Sequence, residues 1–140
     1  MFFLDTNTCI YYLNGRSPSV RENLLRTPPV QIAIPVIVKA ELLLGAFKSR
    51  RRQETLEKVE TFLSPFEIIP FCDGTAYRYA GIRSALEIAG EVIGANDLCI
   101  AASALYHDAV LVSSNTREFG RVKGLSLLDW QEDPPGGISD

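Results

Sequence analysis

The chain has 140 residues, 46% of them hydrophobic and 22% charged, and a formal net charge of −3. That length suits one domain with a real core, and the composition is that of a globular protein rather than a disordered or fibrous one. Its apolar runs are too short to span a membrane. Asp5 interrupts the N-terminus and no basic region precedes it, which argues against a signal peptide.

Cys9, Cys72 and Cys99 are odd in number and lack zinc-site spacing, so they read as reduced thiols of a cytoplasmic protein, with Cys9 and Cys99 in the core. The charge sum decides little about nucleic acid, because its distribution is uneven. Lys48, Arg50, Arg51 and Arg52 cluster, while Asp129, Glu132, Asp133 and Asp140 gather near the C-terminus.

In chain order, "MFFL" reads as a short buried strand, after which Asn7 or Thr8 caps a helix ending near Asn14-Gly15. "SPSVRENLLRT" is a helix with Ser17 as N-cap and Pro18 at its first position. "PVQIAIP" is a strand bounded by prolines. "VIVKAELLLGAFKS" follows as a helix with Val36, Ala40, Leu43 or Leu44, and Phe47 on its apolar face. "RRRQETLEKVETFLS" is a more polar helix striped by Leu56, Val59 and Leu63.

"FEIIPF" is a third strand. A long helix then runs from an Asp73 cap to a terminal Gly90. "NDLCIAASALYH" is a helix of small residues, "AVLVSS" a strand, "NTREFGRV" a turn with a short helix and "LSLLDW" the last strand. Residues 1–130 form one domain in this reading, and 131–140 a flexible tail. Strands alternating with helices imply a parallel sheet covered on both faces, with its sites at the carboxyl ends of the strands.

Asp5 stands at such an end. A lone buried carboxylate is costly unless it is paired, hydrogen-bonded or bound to metal. Three more acids share its setting: Glu41 in an apolar helix, Asp97 at a helix start, and Glu118 just after a strand. Clustered carboxylates repel one another, and a hard divalent cation such as Mg²⁺ or Mn²⁺ relieves that repulsion through oxygen ligands. Such an ion activates water and stabilises displacement at a phosphodiester.

Each acid also has a plainer reading. Asp5 suits a helix N-cap, Asp97 the positive end of a helix dipole, Glu41 an exposed helix position and Glu118 an ordinary turn. The argument rests on their co-occurrence. His107 is the sole histidine, which disfavours a Ser-His-Asp triad or a histidine-rich metal site, and it reads as a capping or surface residue. The Lys48–Arg52 cluster suits either RNA phosphates or a solvated face. Most of Tyr11, Tyr12, Tyr77, Tyr79 and Tyr106 are expected to pack in the core or at an interface.

"FLDTN", "IPVIVKAELLLGA", "IGANDLCIAASAL" and "LVSSNTREFGRVKGLSLLDW" together resemble the motifs of PIN-domain ribonucleases, and more narrowly VapC-type toxins of bacterial toxin–antitoxin pairs. The resemblance runs in order over roughly residues 1–130. It implies a three-layer α/β/α fold around a central parallel sheet and a Mg²⁺- or Mn²⁺-dependent endoribonuclease, with tRNA a frequent substrate.

Asp5, Glu41 and Asp97 match the family's three central acids, with Asp5 and Asp97 as direct metal ligands. Asn115 stands where many relatives carry a fourth acid, and Glu118 is positioned to supply that charge. Thr6 adds a hydroxyl to the site, beside Asn115. The resemblance further implies homodimers and a VapB-type antitoxin that lays a C-terminal segment over the acidic groove. An inactive PIN fold acting as a binding module is the alternative. A phosphatase or receiver-like domain, which would use Lys123, is a third reading.

Overall fold

The computed structural model describes residues 1–131; the tail expected at 131–140 lies, Gln131 aside, outside them. Five short strands form one wholly parallel sheet: β1 (Phe2–Leu4), β2 (Ile32–Pro35), β3 (Glu67–Ile69), β4 (Val110–Val112) and β5 (Ser126–Leu128). Their order is β3-β2-β1-β4-β5. Phe2 is in register with both Ile32 and Val110, so β1 occupies the centre. Connections run one way from β1 to β3 and the other way from β4 to β5. The order therefore reverses between β1 and β4, where open parallel sheets form a crevice at their carboxyl ends.

Helices connect the strands: α1 (Thr6–Leu13), α2 (Pro18–Arg26), α3 (Val36–Phe47), α4 (Arg52–Leu63), α5 (Asp73–Ala89), α6 (Ala95–Tyr106) and the short α7 (Thr116–Phe119). This is the α/β/α arrangement expected from the sequence. β2 is buried at every position, and the central strands contribute Phe3, Leu4, Ile34 and Leu111 to the core. Full burial of each such side chain is worth roughly 1.5–3 kcal/mol, so the sheet that carries the site is firmly held. No helix of the described residues is long and apolar enough to cross a membrane.

Several local expectations need correction. The cap of α1 is Asp5, not Asn7 or Thr8; its side chain accepts a hydrogen bond from the Thr8 backbone N–H. In α3 the buried residues are Val38, Leu42 and Ala46, whereas Val36, Leu44 and Phe47 are exposed. The stripe was out of phase because this helix is apolar on nearly every side, so periodicity does not say which side faces the sheet. In α4 Val59 and Leu63 are buried as expected, but Phe62 joins them and Leu56 is only partly covered. Cys9 is buried; Cys99 is only partly so.

Asp73 is the first residue of α5 and Cys72 its cap, the Cys72 thiol lying 3.4 Å from the Thr75 hydroxyl. Gly90 ends α5 at φ 71°, a left-handed position that favours glycine. A Cβ at Gly74 would meet Tyr106 at 2.1 Å, so the start of α5 presses on the end of α6. Residues 90–94 then lead directly to the start of α6, and the two helices are antiparallel. His107 caps α6 at the surface, as expected. Tyr77 is exposed and Tyr106 partly so, its ring lying against Gly74, while Tyr11, Tyr12 and Tyr79 lean on the core.

Candidate active site

Asp5 follows β1 immediately, so it sits where the strand order reverses. Its backbone N–H donates to the Val112 carbonyl at 3.1 Å, which locks it between β1 and β4. Only 4% of the residue is exposed. One carboxylate oxygen accepts the Thr8 N–H at 2.9 Å, and the Thr8 hydroxyl donates to the Val112 carbonyl at 3.2 Å. Asp5 is therefore the N-cap of α1, as its plainer reading has it. Burial raises its pKa; hydrogen bonds from Ser113 and Thr8 oppose the rise, and the Asp129 carboxylate adds to it.

Glu41 lies in the second turn of α3, which leaves the carboxyl end of β2. Its Oε1 accepts the Thr6 hydroxyl, and its Oε2 accepts the Asn96 side-chain amide at 3.0 Å. Thr6 opens α1 and Asn96 is the second residue of α6. Glu41 thus ties the starts of α1 and α6 to the second turn of α3.

Asp97, next to Asn96, is half-buried, and its pKa rises to about 6. Desolvation is the leading cause, followed by repulsion from Glu118, Asp5 and Glu41 in that order. The start of α6 favours an anion there, but burial and crowding outweigh it. Glu118 in α7 accepts the Asn115 amide at 2.9 Å, and the Asn115 N–H donates to the Ser113 hydroxyl, also at 2.9 Å. Where a further carboxylate would add repulsion, Asn115 holds Glu118 in place.

Every acid singled out from the sequence therefore falls at one edge of the sheet and acts electrostatically on Asp97. Three members of this region escaped sequence reasoning. Asn96 and Ser113 are small polar residues whose carboxylate partners, Glu41 and Asp5, are distant in the chain. Asp129 directly follows β5 and reaches Asp5 electrostatically; the strand-end rule that singled out Asp5 applies to it equally.

The donor set is all oxygen, which suits Mg²⁺ or Mn²⁺ and not a zinc site. Among the described residues no three His, Cys, Asp or Glu side chains already converge on one ligating point. That is compatible with Mg²⁺, which is typically bound through one or two carboxylates and several waters. A groove of about 760 Å³ between α2 and α4, lined by Leu24, Leu25 and Phe62, includes none of the four acids, whereas one of about 250 Å³ between α1, α3 and α4 has Glu41 at its edge.

A reversal-point crevice whose anionic side chains crowd one helix start has the chemistry of a carboxylate site for a hard divalent cation. The PIN domain model matches residues 2–125. Ribonuclease VapC2 of Rickettsia felis is 40% identical over 133 residues, covering 94% of this chain and 99% of that protein. The tRNA(fMet)-specific endonuclease VapC of Shigella flexneri is 34% identical over 129 residues, or 92% and 97%. The solved VapBC2 of Rickettsia felis bound to a promoter DNA fragment has a TM-score of 0.86 at 40% identity, over 92% of this chain and 98% of the matched one. DNA-bound VapBC from Salmonella typhimurium gives 0.87 at 34% identity, over 92% and 97%. The chain belongs to the PIN-domain family and, within it, to the VapC ribonucleases.

Proposed function

We propose that this protein is an endoribonuclease toxin that uses Mg²⁺, with Mn²⁺ as substitute, and is neutralised by a cognate VapB-type antitoxin. The observation that carries the reading is the electrostatic convergence of Glu118, Asp5 and Glu41 on Asp97. Nucleases of this family depend on divalent cations. In this reading residues 1–130 act as one catalytic domain. Homodimers and a tRNA substrate extend it, the latter supported by the name of the Shigella flexneri relative.

The roles divide by geometry. Asp5, already hydrogen-bonded by Thr8 and Ser113, and Asp97 would hold the ion. A cation bound there supplies positive charge to polarise the scissile phosphate and to lower the pKa of the attacking water. Glu41 is held by Thr6 and Asn96 in one orientation, which suits it to orient that water and receive its proton. Glu118, held by Asn115, completes the pocket and faces the incoming phosphodiester. Burial of Asp5 keeps bulk water from that side of the reaction.

Purified protein incubated with total RNA and Mg²⁺ or Mn²⁺, beside Asp97→Asn and an EDTA control, tests the reading. Cleavage by the wild-type sample alone is expected. Equal cleavage by all three would rule out the metal–carboxylate mechanism. No cleavage by folded, antitoxin-free protein would return the chain to the binding-module alternative.

A further inference from the structure

Arg121 follows the Glu118 turn: its N–H donates to the Glu118 carbonyl at 3.1 Å, and its guanidinium donates to the Val92 carbonyl at 3.2 Å. It therefore bridges α7 and the segment that delivers Asp97. From this bridge a groove of about 510 Å³ runs along α5 toward its start. Arg78, Arg121 and Lys123 line it against a single acid, Glu91. Its apolar floor includes Ile82, Leu86 and Val122, and Tyr77 stands at its lower end with 77% of its surface exposed.

In a chain of net charge −3, three cations to one acid is a local reversal of sign. Arg78 and Lys123 make no ion pair or side-chain hydrogen bond among the described residues. Their charges are free for a ligand, unlike Arg83, which α5 itself neutralises through Glu87 at 3.0 Å. Tyr77 to Ala89 spans about 18 Å of helix at 1.5 Å per residue. Cations spaced along a channel with an exposed aromatic ring are what a single nucleic-acid strand recognises: phosphates meet the charges and a base stacks on the ring.

We infer that the groove between α5 and residues 121–123 binds the sugar–phosphate backbone of substrate RNA flanking the scissile bond, with Tyr77 as a stacking platform. The inference rests on the ribonuclease reading and adds where the strand lies as it leaves the acidic site. Arg121 is its threshold, and Arg78 and Lys123 are its rails.

The test measures binding of an unstructured oligoribonucleotide and of bulk tRNA by the Asp97→Asn protein in EDTA, from 50 to 200 mM salt. The Arg78→Ala/Lys123→Ala pair is expected to weaken both RNAs on the order of tenfold and to lower the salt slope by about 1.4, at ~0.7 per phosphate contact on a single strand. Tyr77→Ala should weaken binding with the slope unchanged. Arg50→Ala/Arg51→Ala, which removes equal charge beyond the far end of α3, should leave affinity and slope near the parent values.

Unchanged binding by the groove pair, in a protein whose wild-type form cleaves RNA, would overturn the groove and leave the nuclease reading standing. An equal loss in both pairs would reduce the effect to net charge and overturn it too. So would loss of self-association by the groove pair with RNA affinity intact, which would make this face a contact between two copies. Absence of cleavage by the wild type would instead remove the reading on which the inference rests. Because Arg78 and Lys123 are exposed, matching melting temperatures will establish that the variants are folded.

Discussion

Asp5 and Asp97 are both acids of one pocket, yet the molecule treats them differently. Asp5 is sealed beneath the crevice and hydrogen-bonded by Thr8 and Ser113. Asp97 stands on the rim, half-buried, with no hydrogen bond among the described residues to soften the repulsion of three neighbours. The floor carboxylate is thus part of the fold's hydrogen bonding, whereas the rim carboxylate is a stored electrostatic cost that a cation removes. Burial raises the pKa of both, but at Asp5 hydrogen bonds from Ser113 and Thr8 offset part of that cost, and at Asp97 neighbouring charges add to it.

The largest effect expected from breaking this contrast is on catalysis. Asp97→Asn should lower RNA cleavage by at least about 100-fold, the scale of removing one preorganised electrostatic group, while raising the melting temperature of the metal-free protein. Calorimetry beside a cleavage assay separates the two readouts; a melting temperature that falls would contradict the stored-repulsion picture.

Asp5 should behave the opposite way. Asp5→Ala removes the cap of α1 and is expected to cost about 1–2 kcal/mol in urea unfolding, whereas Asp5→Asn, which retains a good capping group, should cost distinctly less. Both should lose activity. If Asn proved as destabilising as Ala, the capping account of Asp5 would be wrong.

Smaller effects sharpen the comparison at its edges. Glu118→Gln should reduce metal-dependent activity less than Asp5→Asn does, roughly tenfold or below, because Asn115 still holds the side chain in place. An equal or larger loss would promote Glu118 to a ligand. Asn96→Ala should likewise give a modest fall in kcat with little change in KM, since it frees one oxygen of Glu41 without touching substrate.

The smallest effect is in pH. The folded pKa of Asp97, about 6, lies above its ordinary 3.8, so the folded state holds the proton in a range where the unfolded chain has lost it. This group therefore costs no stability below pH 4. It lowers the stability of the metal-free protein as pH rises from about 4 to 6, and its effect is constant above that range. Asp97 is half exposed, so solvent screening keeps the slope modest. Melting curves of the wild type and Asp97→Asn in EDTA, differing most above pH 6 and converging near pH 4, would bear this out.

Much of this was legible without coordinates where signals were local. Ser17-Pro18 placed the start of α2 correctly, and Gly90 the end of α5. Short apolar runs alternating with helical patterns gave the parallel sheet. Glu41 was recognisable because a charge in "VIVKAELLLGA" has no easy place to go. The phase of α3 was not legible, because a helix apolar all round carries no directional signal. Asn96 and Ser113 were hidden for another reason: an amide or a hydroxyl acquires meaning only from its partner, and the partners lie 55 residues away for Asn96 and, for Ser113, at the distant junction of β1 and α1.

The amino-acid sequence by itself determined the kind of molecule and its acidic vocabulary: the alternation of elements, a carboxylate after the first strand, and the family motifs in order. Tertiary structure alone decided how those acids differ. The reversal of strand order between β1 and β4 buries Asp5 under hydrogen bonds, and the approach of α3, α6 and α7 crowds Asp97 with charge. Desolvation and Coulomb repulsion depend on distances between segments far apart in the chain, and those distances exist only once the sheet has formed.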